Sequence, residues 1–248
     1  MRYPEIDIIK GIAIILMVLF HYFYVAYLLG KPVVNIHSKY VSLMATIAHN
    51  IFIFMVGVNL VVSYNRTNNA TETGRNAYIG KQFKRALLLF ILGMVMTFIT
   101  SILFPDKYIR FGIFHFISLA IMVSLLFIDN IQYTGFGIMI FGLLNYIITN
   151  YKSSFYNICN NNKLTCFILG IYNNYSSIDH FSFIPFFLTV LMGMGIGQVF
   201  YKGGMRPANT ILDRVYKNSN TMKSLGYLGK QSLNIYLFHW VIVYYLLA

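Results

Sequence analysis

Seven stretches of the chain are almost purely apolar. They run over residues 8–29, 41–64, 86–104, 111–128, 134–149, 181–201 and 231–247. None alternates apolar with polar positions, so none reads as a strand of a membrane barrel. Each is close to the length at which a helix crosses a bilayer, about 20 residues. The pattern predicts an all-α fold: a polytopic transmembrane helical bundle of about seven spans, forming a single domain over residues 1–248. The first stretch does not read as a cleavable signal peptide. It is too long, opens with Glu5 and Asp7, and lacks a small-residue cleavage site.

Two long connections precede the last helix. Residues 151–180 are rich in Asn, Tyr and Ser, and their apolar middle, 164–172, is too short to span, so it is expected to be re-entrant or interfacial. Residues 202–229 read as a basic cytoplasmic loop. Gly193 and Gly197 form a small-xxx-small pair, which predicts a helix-packing face and no phosphate site, because no strand precedes it.

Composition narrows the class. The chain is 58% hydrophobic and 10% charged, with a mean hydropathy of +0.64. Soluble domains run at about 45–50% apolar and about 25% charged. A cytosolic enzyme, a secreted disulfide scaffold and a disordered chain are all excluded. Lys and Arg number 19 against 7 Asp and Glu, a formal +12. These cations sit in the gaps between apolar runs, thirteen on the N-terminal side of the membrane and six on the other. That bias puts the N-terminus in the cytoplasm and the C-terminus outside. No basic cluster is interleaved with aromatics on a soluble segment, so nucleic acid is not expected as a partner.

The same topology sorts the modification signals. Asn65-Arg66-Thr67 and Asn69-Ala70-Thr71 fall on the cytoplasmic side, and Asn174-Tyr175-Ser176 on the outer side where glycosylation occurs. Cys159 and Cys166 share one outer loop with six residues between them. They are free thiols or, in an oxidising compartment, a bridge.

Ionisable groups inside apolar runs are expensive and are functional candidates by default. Four histidines qualify: His21, His49, His115 and His239. Helix depth puts His21, His49 and His239 near the midplane and His115 in the outer half. Any one could instead be a structural hydrogen-bond donor between helices. His49 fits that reading best, with Asn50 and three residues of plain packing, 52–54, beside it. No pair has metal-binding spacing within one helix and no midplane carboxylate accompanies them, so no metal is expected. On the first helix Asp7, Ile14 and His21 fall along one stripe, and Lys10 can pair with Asp7. On the last, Ser232, Tyr236, His239 and Val243 share a face, and Tyr236 could hold or relay a proton to His239. A retinal-binding protein would need a lysine deep in the last helix, and the receptor signatures Asp-Arg-Tyr and Asn-Pro-x-x-Tyr are absent, so neither familiar seven-helix class fits.

The opening, Arg2-Tyr3-Pro4-Glu5-Ile6-Asp7-Ile8-Ile9-Lys10-Gly11 followed by Ile15-Leu16-Met17-Val18-Leu19-Phe20-His21, resembles the start of the catalytic domain of heparan-α-glucosaminide N-acetyltransferase and its bacterial relatives. Four later segments fall in the same order. They are residues 52–58, residues 104–115 from Phe104-Pro105 to His115, residues 182–197, and Leu228-Gly229-Lys230-Gln231-Ser232-Leu233-Asn234-Ile235-Tyr236-Leu237-Phe238-His239. Departures are visible. Val25 stands where family members often carry Asp, and Pro185-Phe186 replaces Pro-Trp. Lys230-Gln231 replaces Arg-His, and Trp240-Val241 replaces Gln-Pro.

The resemblance implies a transmembrane acyltransferase. It would move an acetyl group from cytoplasmic acetyl-CoA to an acceptor on the far side, a small molecule or a glycan offering a sugar amine or hydroxyl. His21 is the candidate base, taking the acceptor's proton as a neutral ring, with His115 and His239 orienting the acceptor or completing the proton path. The donor's phosphates would meet Lys81, Lys84 and Arg85, with Arg66 and Arg75, unless those cations serve topology alone. An oxyanion donor would come from Asn50, Asn59 or an amide near Pro185. The expected partners are the bilayer, the acceptor and a second copy of the chain in a homodimer. The alternatives are a small proton-coupled transporter using the same histidines, or an inactive scaffold of the same fold.

Overall fold

The computed structural model describes residues 3–68, 74–171, 175–201 and 210–247. It is helical throughout, and five helices are long and apolar enough to cross a membrane. These are α1 (Pro4–Leu28), α2 (Lys39–Asn68), α3 (Gly74–Leu103), α5 (Ile131–Asn150) and α8 (Phe183–Phe200). Two of the seven apolar runs form shorter helices. The first is α4 (Ile113–Ser124), 12 residues and about 18 Å long; the second is α11 (Ser232–Leu247), 16 residues and about 24 Å. The hydrocarbon core is about 30 Å thick, so neither spans it upright by its helix alone. The protein is an integral, multipass membrane protein. Arg2, Asn69 and Asn174 of the sequence reading, and Lys202 and Arg206, lie outside the described residues.

The chain divides into two compact units. One comprises Met1–Met55 and Pro207–Ala248, the other Val56–Arg206. In the first, Pro4 opens α1 with Glu5 and Asp7 in its first turn, where a fixed φ and negative charge both suit a helix start. Asp7, Gly11 and Ile14 form its buried stripe, and Lys10 pairs with Asp7 at 3.9 Å, as the spacing predicts. The connection expected to be a basic loop is instead helical in its described part, as α9 (Thr210–Asn218) and α10 (Asn220–Lys230). Ser219 caps α10 by accepting the Met222 N–H at 3.3 Å. Met222, Leu225 and Leu228 recur at helical spacing among the lysines, an apolar face that charge counting hides.

That face brings α10 antiparallel onto α1 at backbone contact. A Cβ on Gly11 would strike the Leu225 carbonyl, and one on Gly229 would strike the Asp7 carbonyl. Helix α11 then returns alongside α1, and Lys31 Nζ donates to the Leu247 carbonyl at 2.8 Å.

The second unit holds the rest of α2 from Val56, then α3 to α8. Of these, α6 (Tyr156–Asn161) and α7 (Lys163–Leu169) are short. Glycines set its tightest contacts. A Cβ at Gly57 would overlap the Val190 carbonyl, and one at Gly197 would lie 3.0 Å from Val61 Cβ, so α2 and α8 touch through small residues as the Gly193/Gly197 pair predicted. Pro185 sits in the first turn of α8, where proline is tolerated, and no break follows it.

At one end of this unit Asn65 Nδ2 donates to the Tyr201 carbonyl at 2.7 Å, and Arg75 forks onto Asp129 at 2.9–3.2 Å. At the other end Cys159 and Cys166 are joined in a disulfide between α6 and α7.

Candidate active site

Two of the three candidate catalytic histidines meet. On α1 and α11 the rings of His21 and His239 lie edge to face with centroids 4.6 Å apart. Neither ring is loose. His21 Nδ1 donates to the Met17 carbonyl at 2.9 Å, and His239 Nδ1 donates to the Tyr236 carbonyl at 2.7 Å, with both hydrogens assigned to Nδ1 because carbonyls only accept. A ring that donates from Nδ1 keeps its Nε2 lone pair for a proton or an acceptor. His239 Nε2 is buried with no partner among the described residues. An orphaned acceptor of that kind in a packed interior is costly, and functional sites are where such costs are found.

Aromatic side chains wall this pair. Trp240 lies 5.5 Å from the His21 ring and Tyr24 lies 6.1 Å from Trp240. Tyr236 approaches His239 at 5.4 Å and stacks on Phe52 at 6.4 Å. Its carbonyl and ring, rather than its hydroxyl, are what His239 meets. Val25, in place of the family's Asp, is buried, so the carboxylate that would orient a ring is replaced here by the Met17 carbonyl. Measured along α1, His21 is 17 residues past Pro4, about 25 Å, and seven before Leu28. It therefore lies in the C-terminal third of the helix.

His49 behaves as a packing residue: its ring bonds to the Ala45 backbone, and Asn50 beside it donates to the Thr46 carbonyl at 2.8 Å. That internal bond uses one of the two N–H groups of Asn50, a candidate oxyanion donor.

His115 belongs to the second unit, in the first turn of α4. It fills a notch at Gly93, where an added Cβ would be 2.9 Å from the ring. It stacks on Phe111 and meets Phe90 edge-on, both at 5.9 Å. Its Nδ1 is buried and has no hydrogen-bond partner among the described residues. The ring lines a cavity of about 650 Å³ within this unit. Phe90, Met94, Leu119, Met122, Leu164 and Ile168 give the cavity apolar walls. Thr97, Tyr108, Arg110 and Tyr175 add polar atoms.

The loop before α4 is knitted to the segment before α8. Phe181 N–H donates to the Phe111 carbonyl at 3.1 Å, and Ile178 N–H to the Lys107 carbonyl at 2.8 Å. Asp179 reaches across to accept the Ile113 N–H at 3.2 Å, standing in as a cap for α4. Gly112 has no side chain because a Cβ there would sit 2.6 Å from that carboxylate. Burial pushes the Asp179 carboxyl up to about 6, against the opposing pull of the Ile113 bond. Burial lowers the neighbouring His180, whose Nε2 bonds to the Phe167 carbonyl at 2.9 Å. Asp179 and Arg110 are residues that composition and spacing did not single out. Arg110 entered only as one cation in the topology count, and Asp179 lay in a polar loop.

Of the donor-site cations, Lys81, Lys84 and Arg85 are exposed along α3, with Arg85 two turns from the buried Tyr78 on the same stripe. Arg66 is exposed on α2. Arg75 is committed to Asp129, which also accepts from the Tyr64 hydroxyl at 2.9 Å; the Arg75 hydrogen bonds hold that carboxylate below its ordinary range. No group of three metal-binding side chains occurs among the described residues.

The family profile described as heparan-alpha-glucosaminide N-acetyltransferase, catalytic, matches residues 2–241 and so runs through both units. The chain belongs to this family. It is a membrane-embedded, acetyl-CoA-dependent acyltransferase. No curated protein and no solved structure matches it. The family's first and last segments are far apart in sequence, yet they are the ones that carry the Asp7–Gly229 contact and the His21–His239 pair.

Proposed function

We propose that His21 is the general base of acetyl transfer and that His239 positions it. The observation that carries this reading is the pair itself: two rings at 4.6 Å, each with Nδ1 tied to its own helix. His21 Nε2 takes the proton from the acceptor's amine or hydroxyl as that atom attacks the thioester carbonyl. The new N–C or O–C bond forms, the C–S bond breaks, and the CoA thiolate leaves and is reprotonated. His239 Nε2 has no hydrogen-bond partner among the described residues and is available to hold the proton between the two steps. His115, in the other unit, is a separate candidate for handling a proton, its Nδ1 having no hydrogen-bond partner among the described residues. The exposed Lys81, Lys84 and Arg85 face of α3 fits the donor's phosphates, which cannot enter hydrocarbon. Arg75, already paired with Asp129, contributes through that pair.

The topology in this reading keeps the N-terminus cytoplasmic and the acceptor on the far side. The disulfide supports it, because Cys159 and Cys166 share the outer loop where an oxidising compartment would keep them bridged. The acceptor is a sugar amine or hydroxyl, and no metal takes part. The test is His21→Asn, which keeps bulk and some hydrogen bonding but cannot act as a base. Acetyl-CoA should still bind, and single-turnover transfer should fall by roughly 10²–10⁴. Wild-type rates in His21→Asn would place the chemistry elsewhere.

A further inference from the structure

The cavity beside His115 pairs apolar walls with a cation prepared for an anion. The Arg110 guanidinium is sandwiched between two tyrosine rings, 4.0 Å from the centroid of Tyr108 and 4.5 Å from that of Tyr175. Its Nη1 donates to the Ser176 carbonyl at 2.9 Å. No carboxylate pairs with it among the described residues. Stacking and one backbone bond fix the plane of the fork and leave further N–H groups for a ligand. A fixed guanidinium is suited to phosphate, which accepts two parallel bonds. His115 Nδ1, buried and without a hydrogen-bond partner among the described residues, adds a second polar group on the same wall.

The location fits one kind of ligand. Arg110 lies in the loop that precedes α4, at the end of the unit that carries the disulfide, and the cavity lies against helices α3, α4 and α7. Tyrosines at a helix end mark the level of the headgroups, and the apolar walls lie towards the hydrocarbon. The volume, about 650 Å³, is within the range of small-molecule sites, about 300–1,000 Å³.

We infer that this cavity binds a phosphate-bearing lipid, with its apolar chain between α3, α4 and α7 and its phosphate on Arg110. This rests on the acceptor role expected of His115 from the sequence only in one consequence, that the acceptor itself is lipid-borne. The binding does not depend on it.

The experiment reads binding in the absence of acetyl-CoA, so it stands or falls separately from the His21 test. Delipidated protein in detergent is titrated with phosphatidic acid or with diacylglycerol of the same chains, and bound lipid is counted by native mass spectrometry. These probes differ only in the phosphate. Phosphatidic acid should bind at least about tenfold more tightly, the effect of a charge-assisted pair. Arg110→Gln should abolish that preference while diacylglycerol binding persists. Leu164→Trp, which fills the cavity without touching Arg110, should weaken both lipids, and soluble glycerol phosphate should not compete. Equal affinity for the two lipids, a preference that survives Arg110→Gln, binding untouched by Leu164→Trp, or displacement by glycerol phosphate would each overturn the inference.

Discussion

A histidine in an apolar helix has to put its two nitrogens somewhere, and the backbone of its own helix is the nearest acceptor. His21 and His239 both use it, and the same economy leaves both Nε2 atoms outside the helix hydrogen bonding. Sequence singled out both residues because an ionisable group in an apolar run stands out. Asp179 did not stand out, since its surroundings in sequence are polar. Its capping bond to Ile113 comes from 66 residues away. That residue carries a prediction. With a folded pKa raised to about 6 from an ordinary 3.8, Asp179 takes up a proton on folding between those values. Its contribution to stability is complete below about pH 4 and is lost as pH rises through 6. Asp179→Asn keeps an acceptor for the Ile113 N–H and removes the charge. The variant should match the parent below pH 4 and melt at a higher temperature at pH 7.5, as followed by thermal denaturation in detergent. Identical pH profiles for the two proteins would show that Asp179 is not buried as a charge.

At the scale of elements, small residues decide where backbones meet. Gly11 and Gly229 let α10 rest on α1, whereas an added Cβ at Gly135 or Gly142 meets nothing within 4 Å. Gly11→Ala should therefore cost about 1–3 kcal/mol, the usual penalty of overpacking, while Gly135→Ala should stabilise α5 by about 0.5–1 kcal/mol through its helix propensity. Opposite shifts in denaturation midpoint would bear this out; equal shifts would mean that the α1–α10 contact is not tight. Helix α3 carries a second prediction at this scale. Replacing its exposed Lys81, Lys84 and Arg85 together with Gln should weaken acetyl-CoA binding in correctly inserted protein. The loss should be larger at low ionic strength, where screening is weakest. Unchanged affinity in correctly inserted protein would leave those cations to topology alone.

For the whole molecule, the property to test is orientation. Thirteen cations against six set the expectation of a cytoplasmic N-terminus. In a Cys159→Ser, Cys166→Ser background, a membrane-impermeant thiol reagent should label Val33→Cys from outside and miss Asn76→Cys. Both positions are exposed, Val33 in the connection between α1 and α2 and Asn76 in the first turn of α3. The reverse pattern would invert the proposed donor and acceptor sides.

Hydrophobic run length determined most of the elements by itself. A bilayer demands internally bonded backbone over a fixed thickness, so long apolar runs become helices whatever their neighbours are. The histidines, the Asp7–Lys10 pair and the small-residue face of α8 were legible for the same reason: each is a local anomaly in an apolar background. Tertiary structure decided the rest. It turned residues 210–230 into helices, because α1 offers α10 a glycine-lined backbone that no single-run pattern records. It delayed the start of α4 by two residues, because the loop before it is knitted to the segment around Asp179, and ended it at Ser124, where the chain turns towards α5. Only the fold could bring His239 to His21, closing 218 residues of sequence separation, or set Arg110 between Tyr108 and Tyr175. Period and length act within a helix, whereas a site is assembled between helices, by contacts that have no sequence spacing of their own.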